Sequence, residues 1–228
     1  MDILYFLKER TKFIRYFYDT AGKPFRELMR KIEASEAPFQ AGCTQDGEPP
    51  FLAEWLEANS GLETLGRNCV SMLSASLQLY FMTWEKELGV VWEEKERKRT
   101  FENGFVQGYR TCFGQVLKLS WDDCPVNFDI LEQVVLARNR DQHPDHIARL
   151  DVTHDKKFRT KHPALFFVSE GERKMFDDPD MANIYWMSPK VHVSRDNLLS
   201  AINQVEALGE WLEERMFAAL HRTQPLNK

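Results

Sequence analysis

LETLGRNCVSMLSASLQLYFMTWEKEL, residues 62–88, is the stretch of this 228-residue chain that decides its fold. Apolar side chains recur in it mostly at intervals of three or four residues, which is the spacing of one face of an α-helix. They are Leu65, Cys69, Met72, Leu73, Leu77, Tyr80, Trp84 and Leu88. The stripe predicts the longest helix of the core.

The same helical spacing appears on both sides of this stretch. An apolar stripe from Ile3 to Ile32 predicts one helix kinked near Gly22 and Pro24, or two abutting helices, because proline disturbs a helix interior. Residues 35–50 are rich in Gly, Pro and small polar residues and predict a loop. Further helices are predicted at about 51–58, at 93–99, at 105–117, from 127 or 129 to 142, and from 194 or 196 onward. We therefore expect an all-α fold, a bundle of helices.

The helical spacing is lost between residues 150 and 194. Residues 164–168 and 184–193 form short apolar or alternating runs, which predict a small β-hairpin or a loop before the last helix. Pro189 would confine its strand to an edge or a bulge. Since we find no internal repeat and no second core, we expect a single domain over 1–228 with 150–194 as a decoration.

Composition bears on the location of the chain. The apolar start is interrupted early by Lys8, Glu9 and Arg10, and no uncharged apolar run approaches the roughly 20 residues that span a bilayer. The sequence therefore predicts a cytoplasmic protein without membrane contact. The formal charge of −5 argues against a surface coated with basic residues, although it leaves room for a local basic site.

The four cysteines predict reduced thiols. They contain no CxxC pair, and the chain shows no secretion signal, so a disulfide framework or a zinc site is not favoured. The residues are Cys43, Cys69, Cys112 and Cys124.

The motif with candidate catalytic residues is Arg138-Asn139-Arg140-Asp141-Gln142-His143. It closes a predicted helix, because Pro144 disfavours helical geometry at the residue before it. Metal-independent RNA cleavage needs a proton-transfer group and a cation for the crowded phosphate, and histidine and arginine supply these. Asn139 can orient the histidine or contact phosphate.

A second register of the motif pairs Arg140 with His146. It must cross Pro144, so Arg138 with His143 is preferred as the catalytic pair. Arg140 and His146 are then the predicted RNA contacts. From Arg138 to His162, seven Lys or Arg residues stand against four Asp residues, and this local excess suits a polyanion.

Arg138-Asn139-(three residues)-His143 resembles the motif of the HEPN superfamily, in which arginine is followed by Asn, Asp or His, then three to five residues and histidine. The resemblance implies an all-α domain and a metal-independent endoribonuclease without a cofactor, with Arg138, Asn139 and His143 as catalytic residues. It also implies a homodimer whose motifs meet at the interface, often in toxin–antitoxin or other defence systems with an antitoxin or other regulatory protein.

One position departs from the family pattern. Some HEPN toxins carry a tyrosine two residues after the histidine, where a partner enzyme modifies it, whereas this chain has Asp145. That mode of regulation is therefore not expected.

Three alternatives remain open at the sequence level. The chain can be a noncatalytic HEPN-type interaction or nucleotide- and RNA-binding module. Arg138 and Arg140 can be simple helix-end cations that interact with exposed carbonyl groups. A third possibility is a metal site, because imidazole and carboxylate are ordinary ligands. Its candidates are His143, Asp145, His146, Asp151 and His154.

Overall fold

The computed structural model describes residues 2–40, 48–142, 152–177 and 188–223, with the backbone alone for 140–142, 177 and 220–223. This part of the chain contains α-helices and no β-strand, so the all-α prediction is confirmed. The helices are α1 (Ile3–Glu33), α2 (Leu52–Glu87), α3 (Glu94–Thr100), α4 (Phe105–Leu117), α5 (Phe128–Gln142), α6 (Lys156–Lys161), α7 (Glu170–Asp177) and α8 (Arg195–Thr223).

Helix α2 lies at the centre of the bundle and packs against α1, α5 and α8. Its buried side chains therefore occupy more than one face, as the burial of the consecutive residues Cys69 and Val70, and of Tyr80 and Phe81, shows. Burying a side chain such as Val70 or Phe81 contributes about 1.5–3 kcal/mol. The core predicted from residues 62–88 is confirmed.

Helix α2 is longer than the sequence predicts, because it runs without a break through Gly61. A Cβ at Gly61 would lie 2.7 Å from Phe25 Cε1, so the glycine lets α1 pack closely against α2. The short helix predicted around 51–58 is therefore the first part of α2.

Helix α1 is a single helix that contains Pro24. The Asp2 side chain caps it by accepting a hydrogen bond from Tyr5 N at 2.8 Å. The prediction of one helix, rather than two, is the correct alternative.

The last helix, α8, closes the core along its length. The Ser194 hydroxyl accepts a hydrogen bond from Asn197 N at 3.1 Å, so of the two predicted starting positions, 194 and 196, Ser194 is the one that caps the helix. Its inward residues are fully buried, namely Leu198, Ala201, Ile202, Val205, Leu208, Leu212 and Met216. Neither α8 nor any other described helix is long and apolar enough to cross a membrane.

The segment before α8 corrects the hairpin prediction. Helices α6 and α7 lie there, and residues 164–168 form no strand. The β-pairing in the described part is a single antiparallel bridge between Thr153 and Lys190. Of the second predicted strand, residues 184–187 lie outside the described residues.

The backbone of residues 166–167 explains why no ladder forms there. Phe166 N donates to Gln133 Oε1 at 2.9 Å, and Phe166 O accepts from Asn197 Nδ2 at 2.8 Å. Phe167 itself is fully buried. Side chains of α5 and α8 thus satisfy the backbone polar groups of Phe166, which a neighbouring strand would otherwise pair with, whereas Phe167 O accepts a hydrogen bond from His192 N at 3.1 Å.

The described cysteines are free thiols, as predicted, while Cys43 lies outside the described residues. Cys69 and Cys112 are buried, and Cys124 is partly buried. Burial raises the pKa of Cys69 to about 12 and the pKa of Cys112 to about 11. These thiols therefore remain protonated at neutral pH.

Candidate functional site

The N-terminal half of the motif lies in the last turns of α5. Asn127 begins this helix, because its Oδ1 accepts hydrogen bonds from Asp129 N at 2.9 Å and Ile130 N at 3.4 Å. The Asn127 backbone N–H donates to Gln204 Oε1 of α8 at 2.6 Å. The start of α5 is thus fixed to α8.

Arg138 continues the core-facing stripe of α5. Residues three, four and seven positions before it share its side of the helix, and Leu131, Val134 and Val135 are buried there. Arg138 itself is partly buried, and its Nη1 lies 3.5 Å from Asn139 Oδ1. The guanidinium group therefore stands where the apolar core ends at the C-terminal end of the helix.

Asn139 is exposed and faces a different side of α5 from Arg138. It lines a cleft of about 470 Å³ between α5, α6 and the turn that precedes α4. We call this the α5 cleft and define it by the following residues. They are Phe101, Glu102, Gly104, Phe105, Glu132, Val135, Leu136, Asn139, Asp155, Lys157, Phe158, Lys161 and His162.

Glu132 joins α5 to the beginning of α4 at the floor of this cleft. Its carboxylate is buried and accepts hydrogen bonds from Phe105 N at 3.1 Å and Val106 N at 2.9 Å. These are backbone N–H groups that the first turn of a helix leaves without a partner. Gly104 is required beside it, since its φ is +131° and a Cβ there would collide with the Glu132 carboxylate.

A buried histidine forms part of the opposite wall. His162 Nδ1 donates a hydrogen bond to Asp129 Oδ1 at 2.5 Å, and Asp129 Oδ2 accepts another from Gln133 Nε2 at 2.7 Å. The His162 side chain is 4% exposed and Asp129 is 41% exposed. Because a carboxylate only accepts hydrogen bonds, Nδ1 must carry the proton, which leaves Nε2 as an acceptor in the neutral ring.

The His162 ring is also held by aromatic packing. The Phe158 ring stacks on His154 and packs against His162 at a tilt of 39°, with 4.8 Å between the ring centroids in each pair. Lys161 Nζ of α6 donates to Asn103 O at 2.9 Å. This hydrogen bond ties α6 to the turn that precedes α4.

No family model matches the chain, and neither a curated protein nor a solved structure is similar to it.

The structure thus locates part of the predicted site. Arg138 and Asn139 are adjacent at the end of α5, and Arg140 belongs to the same helix, although its side chain is outside the described part. His143 and His146 lie outside the described residues.

The metal alternative falls mostly outside the described residues, because His143, Asp145, His146 and Asp151 are there. Its remaining candidate, His154, is buried and has its Nε2 2.8 Å from Phe167 O. Among described residues, no group of three or more His, Cys, Asp or Glu side chains is arranged to hold a metal ion.

His162 and its partner Asp129 were not predicted from the sequence. They are 33 positions apart, so no local spacing marks the pair. The available signal was the aromatic and histidine spacing in the short basic helix, Phe158 followed four residues later by His162.

Proposed function

We propose that this protein is a metal-independent endoribonuclease of HEPN type. The observation that carries the proposal is the position of Arg138 and Asn139 in the last turns of α5, within an all-helical bundle and beside a cleft. His143 follows the end of this helix in the chain and completes the motif. The proposal assigns catalysis to these three residues.

The reaction uses the 2′-hydroxyl group of the RNA as the nucleophile. His143 accepts its proton, the 2′-oxygen forms a bond to phosphorus, and the bond from phosphorus to the 5′-oxygen breaks. Arg138 stabilises the negative charge on the phosphate, and Asn139 supports the arrangement. The leaving 5′-oxygen takes up a proton from water, and His143 later releases the proton it accepted to solvent, so the products are a 2′,3′-cyclic phosphate and a 5′-hydroxyl.

The surroundings of Arg138 support this assignment. The apolar residues beneath it limit the directions in which the side chain can extend, which favours a defined position for the guanidinium group. The same position also suits a purely structural arginine, because a cation is stabilised at a helix C-terminus. A measurement of cleavage separates these two roles.

The proposal includes a homodimer, in which two copies of the motif together form the RNA site. Arg140 and His146 contact the RNA, and the protein acts as a toxin or defence effector that an antitoxin or other regulatory protein controls. The alternative is a noncatalytic interaction or nucleotide- and RNA-binding module with the same fold. Light scattering of the purified protein tests for the dimer.

The first prediction concerns catalysis. In chelator, the wild-type protein should cleave a mixed RNA pool to products that end in 2′,3′-cyclic phosphate. His143→Ala and Arg138→Ala should each lower the rate at least about 100-fold, because each removes a group that acts on the reacting phosphate.

Two further variants serve as controls. His192→Ala should leave the rate unchanged, because this histidine lies near Glu63 of α2, with 3.8 Å between Nδ1 and Oε1, and outside the α5 cleft. Arg140→Ala separates the registers, since it should reduce binding more than the rate at saturation. Equal cleavage by all variants would reject the catalytic assignment, and no cleavage by the wild-type protein would favour the noncatalytic module.

A further inference from the structure

The α5 cleft contains a polar group that the proposed reaction does not use. The Nδ1 side of His162 is held by Asp129, while its Nε2 is buried and makes no hydrogen bond within the described part of the chain. Buried polar atoms in folded proteins are nearly always paired with protein, water or ligand. Because His162 lines the α5 cleft, a molecule bound there can complete the pair.

The charges in the cleft disfavour a phosphate group as this molecule. Glu102, Glu132 and Asp155 line the cleft together with Lys157 and Lys161, so its carboxylates outnumber its ammonium groups. Glu132 is committed to the backbone of α4, and Lys161 to Asn103 O. An uncharged polar molecule fits this surface better than an anion does.

The apolar part of the cleft favours a planar ring. Phe101, Phe105 and Phe158 line it, and the volume of about 470 Å³ falls within the range of small-ligand sites. Proteins that bind unpaired RNA stack its bases on aromatic side chains and hydrogen-bond their edges. The α5 cleft offers both kinds of contact.

We propose that the α5 cleft binds one unpaired nucleobase of the RNA, and that His162 Nε2 accepts a hydrogen bond from an N–H group of that base. The inference rests on the proposed function for the identity of the ligand as RNA. Asn139 belongs both to the motif and to the cleft, so the base is that of a nucleotide next to the cleaved phosphate.

In this arrangement Asp129 is a positioning residue. Its carboxylate keeps the proton on Nδ1 of His162 and thereby presents Nε2 as the acceptor. Gln133 holds the carboxylate in turn and is itself tied to Ala164 O at 2.9 Å. This series of hydrogen bonds, from Ala164 through Gln133 and Asp129, holds the His162 ring in place before any ligand binds.

The test measures binding without cleavage. Fluorescence anisotropy in chelator, with the full-length His143→Ala protein, gives the affinities for labelled hexamers of adenosine, cytidine and uridine. A hexamer of abasic ribose-phosphate analogues serves as the backbone probe. His162→Asn is then added, because its amide nitrogen stands near the position of Nδ1 and keeps the contact with Asp129 while Nε2 is lost.

We expect His162→Asn to weaken binding of the preferred base-bearing hexamer about tenfold and to leave the abasic probe unchanged. His162→Gln, which places a polar group near the position of Nε2, should lose less affinity for this hexamer than His162→Asn does. The matched control His192→Asn should stay within about twofold of the parent protein. Thermal melting of each variant accompanies the measurement, so that a loss of binding is compared between folded proteins.

Equal affinities of His162→Asn and its parent would overturn the inference, as would an equal loss on the abasic probe or no binding of any hexamer. If the wild-type protein cleaves RNA and His162 does not affect binding, the inference fails and the proposed function stands. If no RNA is cleaved and hexamer binding still depends on His162, the proposed function fails and the base site stands.

Discussion

Glu132 connects two helices through a single carboxylate. It is 8% exposed and satisfies the backbone N–H groups of both Phe105 and Val106. A residue that caps one helix from the side of another is not visible in a sequence pattern, because the contact spans 26 or 27 positions.

The second prediction concerns this carboxylate. Glu132→Gln should lower the free energy of unfolding by about 1–3 kcal/mol, since the amide group turns a donor toward a buried N–H that needs an acceptor. Urea unfolding measures the change. Glu102→Gln, at an exposed position of the same cleft, should have little effect, and equal midpoints for the two variants would contradict the role given to Glu132.

At the same scale, the candidate site was only partly predictable. Arg138 and Asn139 are recognisable because they are sequence neighbours at a helix end marked by Pro144. His162 and Asp129 meet through the packing of α6 against α5, which depends on the whole fold. Base recognition by His162, the third prediction, therefore depends on a contact that the structure supplies.

At the scale of the element, α5 carries the motif at one end and a cap at the other. Asn127 Oδ1 accepts hydrogen bonds from two N–H groups of the first turn. The helix also contributes Asp129, Glu132 and Gln133, which fix the two walls of the α5 cleft. Removal of the cap at the start of α5 should therefore lower the free energy of unfolding.

The fourth prediction tests this cap. Asn127→Ala should lower the free energy of unfolding by about 1 kcal/mol, because the first turn loses its acceptor. Asn127→Asp and Asn127→Ser should retain most of the stability, since both side chains cap helices well. Urea unfolding of the three variants is the measurement, and an alanine variant as stable as the serine variant would refute the cap.

Most helices were predictable because each repeats an apolar face. The stripes of α1, α2 and α8 run for eight or more turns, and α4 and α5 are bounded by Gly104, Asn127 and Pro144. The structure of residues 152–193 was not predictable, since apolar runs alone do not distinguish a strand from a buried irregular segment. In this segment the side chains of Gln133 and Asn197 form hydrogen bonds with the backbone of Phe166, and both residues are distant from Phe166 in sequence.

At the scale of the whole molecule, buried acidic groups link stability to alkaline pH. Burial raises the pKa of the thiols of Cys69 and Cys112, and it raises the pKa of the hydroxyl groups of Tyr80 and Tyr109 as well. The unfolded chain releases these protons at lower pH, from about 8.5 for cysteine. The folded state therefore binds more protons above that pH, and its stability falls as pH rises.

The fifth prediction follows from the thiols. The free energy of unfolding should decline from pH 8.5 to 10.5, and Cys69→Ala should reduce the slope by up to about 1.4 kcal/mol per pH unit. Urea unfolding in reductant over this pH range measures the slope. Cys124→Ala should change the slope less, because this thiol is only partly buried. An unchanged slope in Cys69→Ala would contradict the assignment.

The pairing of α1 with α8 imposes an order in time on the folding of the chain. Two ion pairs join these helices. Arg195 Nε lies 2.7 Å from Asp19 Oδ1, and Arg15 Nη2 lies 2.8 Å from Glu206 Oε2. A ribosome adds about 5–20 residues per second, so α1 waits on the order of ten seconds for its partner to be synthesised. During that interval the inner face that α8 will cover stays open. The nascent chain therefore presents apolar surface to chaperones before the bundle closes.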